Sequence, residues 1–368
     1  MRKSGLHTQS KFRLLVVRLG AMGDILHALP AVTALRQMHP GWIIDWVVEP
    51  RWRALLASDN STGRQTSLNS TTPNPGQPIV DQLHPAPTKR WRSSPLSLST
   101  IHEINALRHA LRAGSYDTVL DLQGAIRSAV VARMAGSQRL IGEEDPRERA
   151  ARLFYSERVE TQAAHVIEQD IELARAVAGD DLRPVAPWLP VDPAAESWVD
   201  DILPLHTGPA TVLLNPGAGW GAKRWPAERY TAVARELIRQ GVRVMVNTGP
   251  GEEPLAEAIV AGTAGAASAL TGTLAQLIAV TRRVSLVIAG DTGPLHLACA
   301  LGRPVVGIYG PTDPSRNGPY GVPFRVLRSS ESRRDHTRHA APEAGLLTIQ
   351  PDAVLHAANE LLAAEASQ

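Results

Sequence analysis

Short apolar runs alternate with helix-length amphipathic stretches along almost the whole chain. That alternation predicts a mostly parallel sheet covered by helices, because parallel strands are buried on both faces and read as continuous apolar runs. In the first half the pattern predicts strands over Arg13–Leu19, Ile43–Val48, Thr118–Leu122 and Arg139–Ile141. Helices are predicted over Asp24–Met38, Thr100–Ala113, Ala125–Ala135 and Ala163–Ala178, with Pro30 expected to kink or restart the first. The second half repeats the rhythm, with strands over Thr211–Leu214, Arg243–Asn247, Leu286–Ala289, Val305–Tyr309 and Phe324–Leu327. Its helices are expected over Pro226–Gln240, Glu253–Ala261, Leu274–Arg282, Pro294–Leu301 and Asp352–Ala364.

The rhythm breaks twice. Residues 58–78 are rich in Ser, Thr, Asn, Gly and Pro and read as a flexible surface insertion. Residues 180–209 carry Pro184, Pro187, Pro190, Pro193, Pro204 and Pro209, the density of a linker. The expected fold class is therefore α/β: a doubly wound domain over 1–182, a Pro-rich linker over 183–209, a second doubly wound domain over 210–350 and a closing helix over 351–368. A length of 368 residues suits two such cores better than one.

Composition narrows the function classes. The chain is 43% hydrophobic and 20% charged, ordinary for a soluble globular protein, and its net charge of +2 gives no footing for a nucleic-acid partner. Cys299 is the single cysteine, so no intrachain disulfide forms; it reads as a small apolar residue in a reducing compartment. No apolar run is long enough for a membrane span, and the apolar run near the N-terminus is too short for a secretory leader.

The chemistry gathers where strands end. Leu286-Val-Ile-Ala-Gly-Asp-Thr-Gly-Pro-Leu-His296 is a strand that stops at glycine and opens a helix, aiming unpaired N–H groups at one point suited to a phosphate. Pro294 fits the first helical turn, where its missing N–H costs nothing. Leu14-Leu-Val-Val-Arg-Leu-Gly-Ala-Met-Gly-Asp24 mirrors it; Asp24 suits a helix cap or a carboxylate held ionised and ready to accept a proton. Asn215-Pro-Gly-Ala-Gly-Trp-Gly-Ala-Lys223 is a Gly-rich loop with a lysine, again suited to phosphate. Glu252, Glu253 and Thr312 also follow strands, so all should lie along one carboxyl edge, where open α/β sheets bind ligands. Lys89-Arg-Trp-Arg92 reads either as a solvated loop or as an anion-binding edge. Neither Gly-x-Gly-x-x-Gly nor Gly-x-x-x-x-Gly-Lys-Ser/Thr occurs, so no cofactor is expected. No metal site is expected either, since Asp335, His336 and His339 read as a solvated loop.

Six motifs in order resemble the ADP-heptose:lipopolysaccharide heptosyltransferases, a family with the GT-B fold of two Rossmann-like domains facing across a cleft. They are Arg18-Leu-Gly-Ala-Met-Gly-Asp24-Ile-Leu-His27, Asp121-Leu-Gln-Gly124, Asn215-Pro-Gly-Ala-Gly219, Lys223-Arg-Trp-Pro226, Gly290-Asp-Thr-Gly-Pro-Leu-His296 and Tyr309-Gly-Pro-Thr-Asp313. Asp121-Leu-Gln-Gly-Ala-Ile-Arg127 with Lys89–Arg92 is most similar to the members that add the first heptose to Kdo. The resemblance implies Asp24 as general base and Lys223 as the group that holds the donor diphosphate and eases departure of ADP. It implies Ala218, Gly219, Asp291, Thr292, Gly293, His296, Gly310 and Thr312 around the ADP-heptose donor, Glu252 (or its neighbour Glu253) on ribose and Gly272 near adenine. Arg18, Lys89, Arg90, Arg92, Asp121, Gln123 and Arg127 would meet a Kdo-lipid A-type acceptor, whose carboxylates and phosphates need cations. Where hydroxyl residues are usual in the phosphate loop this chain has Ala218 and Gly219, and residues 58–78 are also atypical. The implied enzyme is metal-independent and cytoplasmic, docking transiently on the inner membrane. Transfer to another core sugar or a protein hydroxyl, and a non-catalytic nucleotide-binding protein, are the alternatives.

Overall fold

The computed structural model describes residues 11–58, 78–203, 208–332 and 340–366. All but the two ends of the expected 58–78 insertion, together with Asp335, His336 and His339, lie outside the described residues.

The first half carries β1 (Arg13–Val17), α1 (Met22–Met38), β2 (Ile43–Val48), β3 (Gln82–Pro85), α2 (Thr88–Ser93), α3 (Leu98–Ala113), β4 (Thr118–Asp121), α4 (Ile126–Met134), β5 (Arg139–Glu143), β6 (Glu157–Val159) and α5 (Val166–Ala178). The second carries α6 (Pro193–Ile202), β7 (Thr211–Asn215), α7 (Ala227–Arg239), β8 (Arg243–Asn247), α8 (Glu253–Gly262), β9 (Ser268–Leu270), α9 (Leu274–Arg283), β10 (Leu286–Gly290), α10 (Gly293–Ala300), β11 (Val305–Tyr309), α11 (Pro314–Asn317), β12 (Phe324–Arg328) and α12 (Pro351–Ala366). Each half forms a six-stranded sheet, ordered β3-β2-β1-β4-β5-β6 and β12-β11-β10-β7-β8-β9. Every pair is parallel. Both orders start at a central strand, wind outward, and return to build the other side. This doubly wound plan opens a crevice at the strands' carboxyl ends, between β1 and β4 and between β7 and β10.

The period-two geometry of a strand explains the continuous apolar runs. Leu14 and Val16 join the core under α1, whereas Leu15 and Val17 join the opposite layer with Ala129 and Ala132 of α4. In the second sheet Val212 and Leu214 face one layer while Leu213, Val287 and Ala289 face the other.

Two expectations need correction. α1 runs unbroken through Pro30 and neither stops nor restarts there. It is buried nearly all round, and Ile278 of α9 and Leu297 of α10 join its cluster, so packing from both halves outweighs the missing hydrogen bond. The Pro-rich 183–209 segment contains α6, started by Pro193 at the first helical position and capped by Asp192, whose Oδ1 accepts from Ala195 N–H at 2.9 Å. Its stretch from Trp188 to Glu196 is strapped down. Trp188 N–H donates to Thr33 Oγ1 at 3.2 Å, Arg282 donates to the Pro190 carbonyl at 2.7 Å, and Glu196 pairs with Arg282 and Arg283 at 2.8 and 2.9 Å.

Candidate active site

The two halves meet where the first turns of α1 and α10 touch. A Cβ on Gly23 would sit 2.7 Å from His296 Cδ2, and one on Gly293 would sit 2.6 Å from Met22 Sδ. Only glycine allows this approach.

Asp24 lies in the first turn of α1, next to that contact. Its Oδ2 accepts from Ala21 N–H at 3.0 Å, so the carboxylate does cap the helix. It also stays one-third exposed, with Arg18 at 3.6 Å and Arg147 at 3.9 Å. Arg18 is buried, and its Nε donates to the Asp24 carbonyl at 3.2 Å. It therefore braces the carboxylate from beneath, which differs from the implied direct contact with acceptor.

On the facing half, Lys223 Nζ reaches Asp291 Oδ2 at 2.5 Å and the Asp291 carbonyl at 3.3 Å, over the Trp220 ring. His296 Nε2 lies 3.1 Å from Asp291 Oδ1. Burial alone would raise the Asp291 carboxyl, but the His296 hydrogen bond and the Lys223 ammonium hold it well below the usual carboxylate range. Thr292 stands at the start of α10 with an extended backbone, and its carbonyl accepts from Leu295 and His296 N–H at 3.1 and 3.4 Å; Pro294 has no N–H, so the Gly293 N–H is the first-turn donor left to face a ligand.

Glu252 points inward, its Oε1 accepting from Ala218 N–H at 3.0 Å and from Arg224 at 3.2 Å, its Oε2 from Gly249 N–H at 3.2 Å. It ties two glycine loops together, whereas Glu253 is exposed and its Oε1 accepts from Gly251 N–H at 3.0 Å. Gly219 and Gly272 are exposed at loop tips, while Gly310 and Thr312 are buried after β11. The buried Thr312 hydroxyl and the Gln123 amide nitrogen have no partner among the described residues.

The acceptor-side residues divide. Partial burial, then Arg51, with Arg127 and Arg92 adding and Glu49 opposing, lowers the Lys89 ammonium, and Glu49 Oε1 accepts from Lys89 N–H at 3.0 Å. Arg90 departs from this cluster and pairs with Glu103 at 2.5 Å, because the α2 helix sends it toward α3. Asp121 departs as well. It is buried, with Oδ1 accepting from Gln123 N–H at 2.9 Å and Oδ2 from Ser128 and Tyr155, each at 2.9 Å. Its oxygens hold the Leu122–Gly124 turn, in which Gly124 takes a φ of +64°. Gln123 Oε1 accepts from Leu19 N–H at 2.7 Å and so ties that turn to the loop before α1.

Sequence reasoning missed Arg51, Trp52 and Arg147. The Arg51 guanidinium stacks over Trp52 at 4.4 Å, and Trp52 Nε1 would meet a Cβ on Gly20 at 2.6 Å. The signal was present: Arg51-Trp-Arg53 follows a strand and repeats the pattern of Arg90-Trp-Arg92. Arg147 lines a cavity of about 690 Å3 that also takes in Glu143, Glu160 and Arg316 and adjoins Asp24. Cys299 is half-buried, and burial pushes its thiol up to about 12, so it stays protonated. Among the described residues no group of three or more His, Cys, Asp or Glu could hold a metal ion.

Comparison with known proteins bears on the fold and the family. The family described as glycosyltransferase family 9 (heptosyltransferase) matches residues 104–346. Lipopolysaccharide heptosyltransferase 1 of Escherichia coli K12 is 31% identical, over 95% of this chain and the whole of that protein. The solved structure of the E. coli heptosyltransferase WaaC with ADP superposes with a TM-score of 0.75 at 29% identity, covering 95% of this chain and all of that one. The same enzyme with ADP-2-deoxy-2-fluoro heptose gives a TM-score of 0.73 at 29% identity, covering 95% and 99% of the respective chains. The facing doubly wound halves are thus a GT-B architecture, and the chain belongs to glycosyltransferase family 9, the heptosyltransferases.

Proposed function

We propose that this chain transfers heptose from ADP-heptose to a Kdo sugar of a lipid A-bearing inner-core acceptor, in a single inverting displacement. Asp24 takes the proton from the acceptor hydroxyl as its oxygen bonds to the anomeric carbon. The bond from that carbon to the diphosphate breaks on the opposite face. Charge growing on the departing ADP meets Lys223 and the Gly293 N–H at the start of α10, so the step asks for no metal. Glu252, joining both glycine loops, reaches the ribose, with Ala218, Gly219, Gly272, Gly310 and Thr312 around the rest of the donor. Lys89, Arg92 and Arg127, joined by Arg51, receive the acceptor's carboxylates and phosphates.

The observation that carries the reading is the contact of the two helix starts. It sets Asp24 of one half one residue from a glycine pressed on His296, which itself holds the Asp291–Lys223 pair of the other half. Such a split, base on one lobe and leaving-group support on the other, is what in-line displacement needs. Among the described residues no helix is long and apolar enough to cross a membrane. The enzyme would work at the cytoplasmic face and meet its lipid acceptor through the cationic cluster. The deciding experiment follows ADP release from ADP-heptose with lipid-linked Kdo, heptosylated core or a serine-rich polypeptide as acceptor. Release with lipid-linked Kdo alone supports the proposal. Release with either other acceptor alone overturns the acceptor assignment, and nucleotide binding without release on any acceptor overturns the enzyme.

A further inference from the structure

One polar chain crosses between the halves, and its first member, His27, is not used in the chemistry above. His27, on α1, is only 5% exposed, and its Nε2 lies 3.1 Å from His296 Nδ1 on the other half. The rings meet edge to face, with centroids 4.3 Å apart at 68°. His296 continues through Nε2 to Asp291 Oδ1 at 3.1 Å, and Asp291 Oδ2 continues to Lys223 at 2.5 Å.

The protons on this chain have one arrangement in which both imidazoles are neutral. An ionised carboxylate only accepts, so His296 carries its proton on Nε2. A neutral His296 then offers Nδ1 as an acceptor, and His27 must answer with an Nε2–H. His27 is itself neutral: burial lowers its pKa well below the ordinary value, with Arg18 pushing the same way and Asp291 opposing. His165 is already engaged, with Nδ1 accepting from Ile167 N–H at 3.2 Å and Nε2 lying 3.1 Å from the Gly318 carbonyl. The donor of His27 is thus spent on a residue of the opposite half, at the place where Gly23 and Gly293 press the helix starts together. Separating the turns would break the contact.

We infer that His27 is a positioning residue for heptose transfer: its Nε2–H fixes the tautomer and ring of His296, and through Asp291 the placement of Lys223, only when the halves are together. The inference rests on the proposed role of Lys223 at the donor diphosphate. Without the contact, His296 can rotate and exchange tautomers, Asp291 loses a fixed partner, and the ammonium is no longer held against the leaving group. Donor still binds through its other contacts, so the loss falls on turnover.

The test compares His27→Leu, which removes the donor, with His27→Gln, whose amide nitrogen can supply one near the same place. Partners of this outer kind typically cost about 10- to 100-fold, so His27→Leu should lower kcat by that factor, with KM for ADP-heptose and Kd for ADP changed less than about threefold. His27→Gln should recover kcat to within about threefold of wild type. Because His27 acts through Lys223, adding His27→Leu to Lys223→Met should cost nothing further. A His27→Leu kcat within about twofold of wild type, a Gln variant as impaired as Leu, or losses that multiply in the double variant would each overturn the inference. Full transfer by Lys223→Met alone would instead overturn the donor-site reading, and this inference with it.

Discussion

Replacing Lys223 by Met would strand a carboxylate that has little other means of balancing its charge. Asp291 has a side chain 5% exposed, and its Oδ2 meets the Lys223 ammonium at 2.5 Å in a setting only 19% exposed on the lysine side. Burial pushes the Asp291 carboxyl toward neutrality, and His296 and Lys223 together reverse that push. Removing one partner of a buried pair typically costs about 3–5 kcal/mol, because the remaining charge is left desolvated. The lower end applies here, since His296 stays within 3.1 Å and can share its proton. A loss of about 3 kcal/mol corresponds to roughly 6–12 °C in Tm for a folding unit of 150–250 residues.

The same substitution should lower kcat by about 10²- to 10³-fold, the usual effect of deleting one preorganised group that stabilises developing charge. Stability and turnover can then be separated. Lys223→Met/Asp291→Asn removes the stranded charge together with its partner, so it should regain most of the melting temperature while transfer stays lost. Thermal melting and ADP release on the two variants supply both readouts. A double variant no more stable than the single one would refute the stranded-charge reasoning. Transfer retained above about a tenth of wild type in Lys223→Met would remove the lysine from leaving-group stabilisation.

Asp24→Asn should cut transfer by about 100- to 10,000-fold while ADP affinity by calorimetry stays near wild type; a comparable fall in affinity would mean the carboxylate organises the donor site instead. Gly217→Ala places a Cβ 1.9 Å from Glu252 Oε2 and must displace that carboxylate from both glycine loops. KM for ADP-heptose should rise about tenfold with kcat changed less, and an unchanged KM would exclude Glu252 from donor binding. Burial, with Asp24 and Glu143 adding and Arg18 and Arg316 opposing, raises the Asp170 carboxyl to about 7. The folded state thus keeps a proton that the unfolded chain gives up near pH 3.9, and stability falls as pH climbs from about 4 to about 7. Asp170→Asn should therefore melt progressively higher than wild type between pH 5 and 8, and a constant difference would contradict this. Arg127→Glu should raise KM for a phosphorylated acceptor and flatten its dependence on salt; an undiminished salt dependence would place docking elsewhere.

The core strands were readable because burial on both faces demands unbroken apolar runs. Ile43–Val48, Arg243–Asn247 and Val305–Tyr309 have the expected bounds. The strands that escaped notice lie at or near the sheet edges: Gln82-Leu-His-Pro85, Glu157-Arg-Val159 and Ser268-Ala-Leu270. A short edge strand pairs on one side only and carries polar residues freely, so its sequence has no period to find. α6 was hidden by its own prolines, although Pro193 directly after Asp192 is a helix-start signal. The site was legible where chemistry sits in one turn, as with Gly290–His296. It was not legible where function depends on which loops meet. Nothing in Lys89–Arg92 says that Lys89 and Arg92 gather with Arg51 and Arg127 while Arg90 turns to Glu103. Nor does any local pattern say that Asp121 would be used up inside its own turn.

Both halves put an aspartate near a helix start at a sheet's carboxyl edge, and the difference in their surroundings decides which one can take a proton. Asp291 is enclosed, with one oxygen on Lys223 and the other on His296, and its carboxyl is held far below the usual range. Its charge is already matched, so it is a poor base and a good anchor for a lysine. Asp24 keeps a third of its side chain open, its closest partner is a single backbone N–H at 3.0 Å, and its guanidinium neighbours stand off at 3.6 and 3.9 Å. Those contacts orient the carboxylate without filling both oxygens. A carboxylate that is charged, oriented and still reachable is what a general base for a sugar hydroxyl requires. On the proposed mechanism, the same fold element yields a base in one half and a leaving-group anchor in the other. Exchanging their surroundings rather than their identities would exchange their roles.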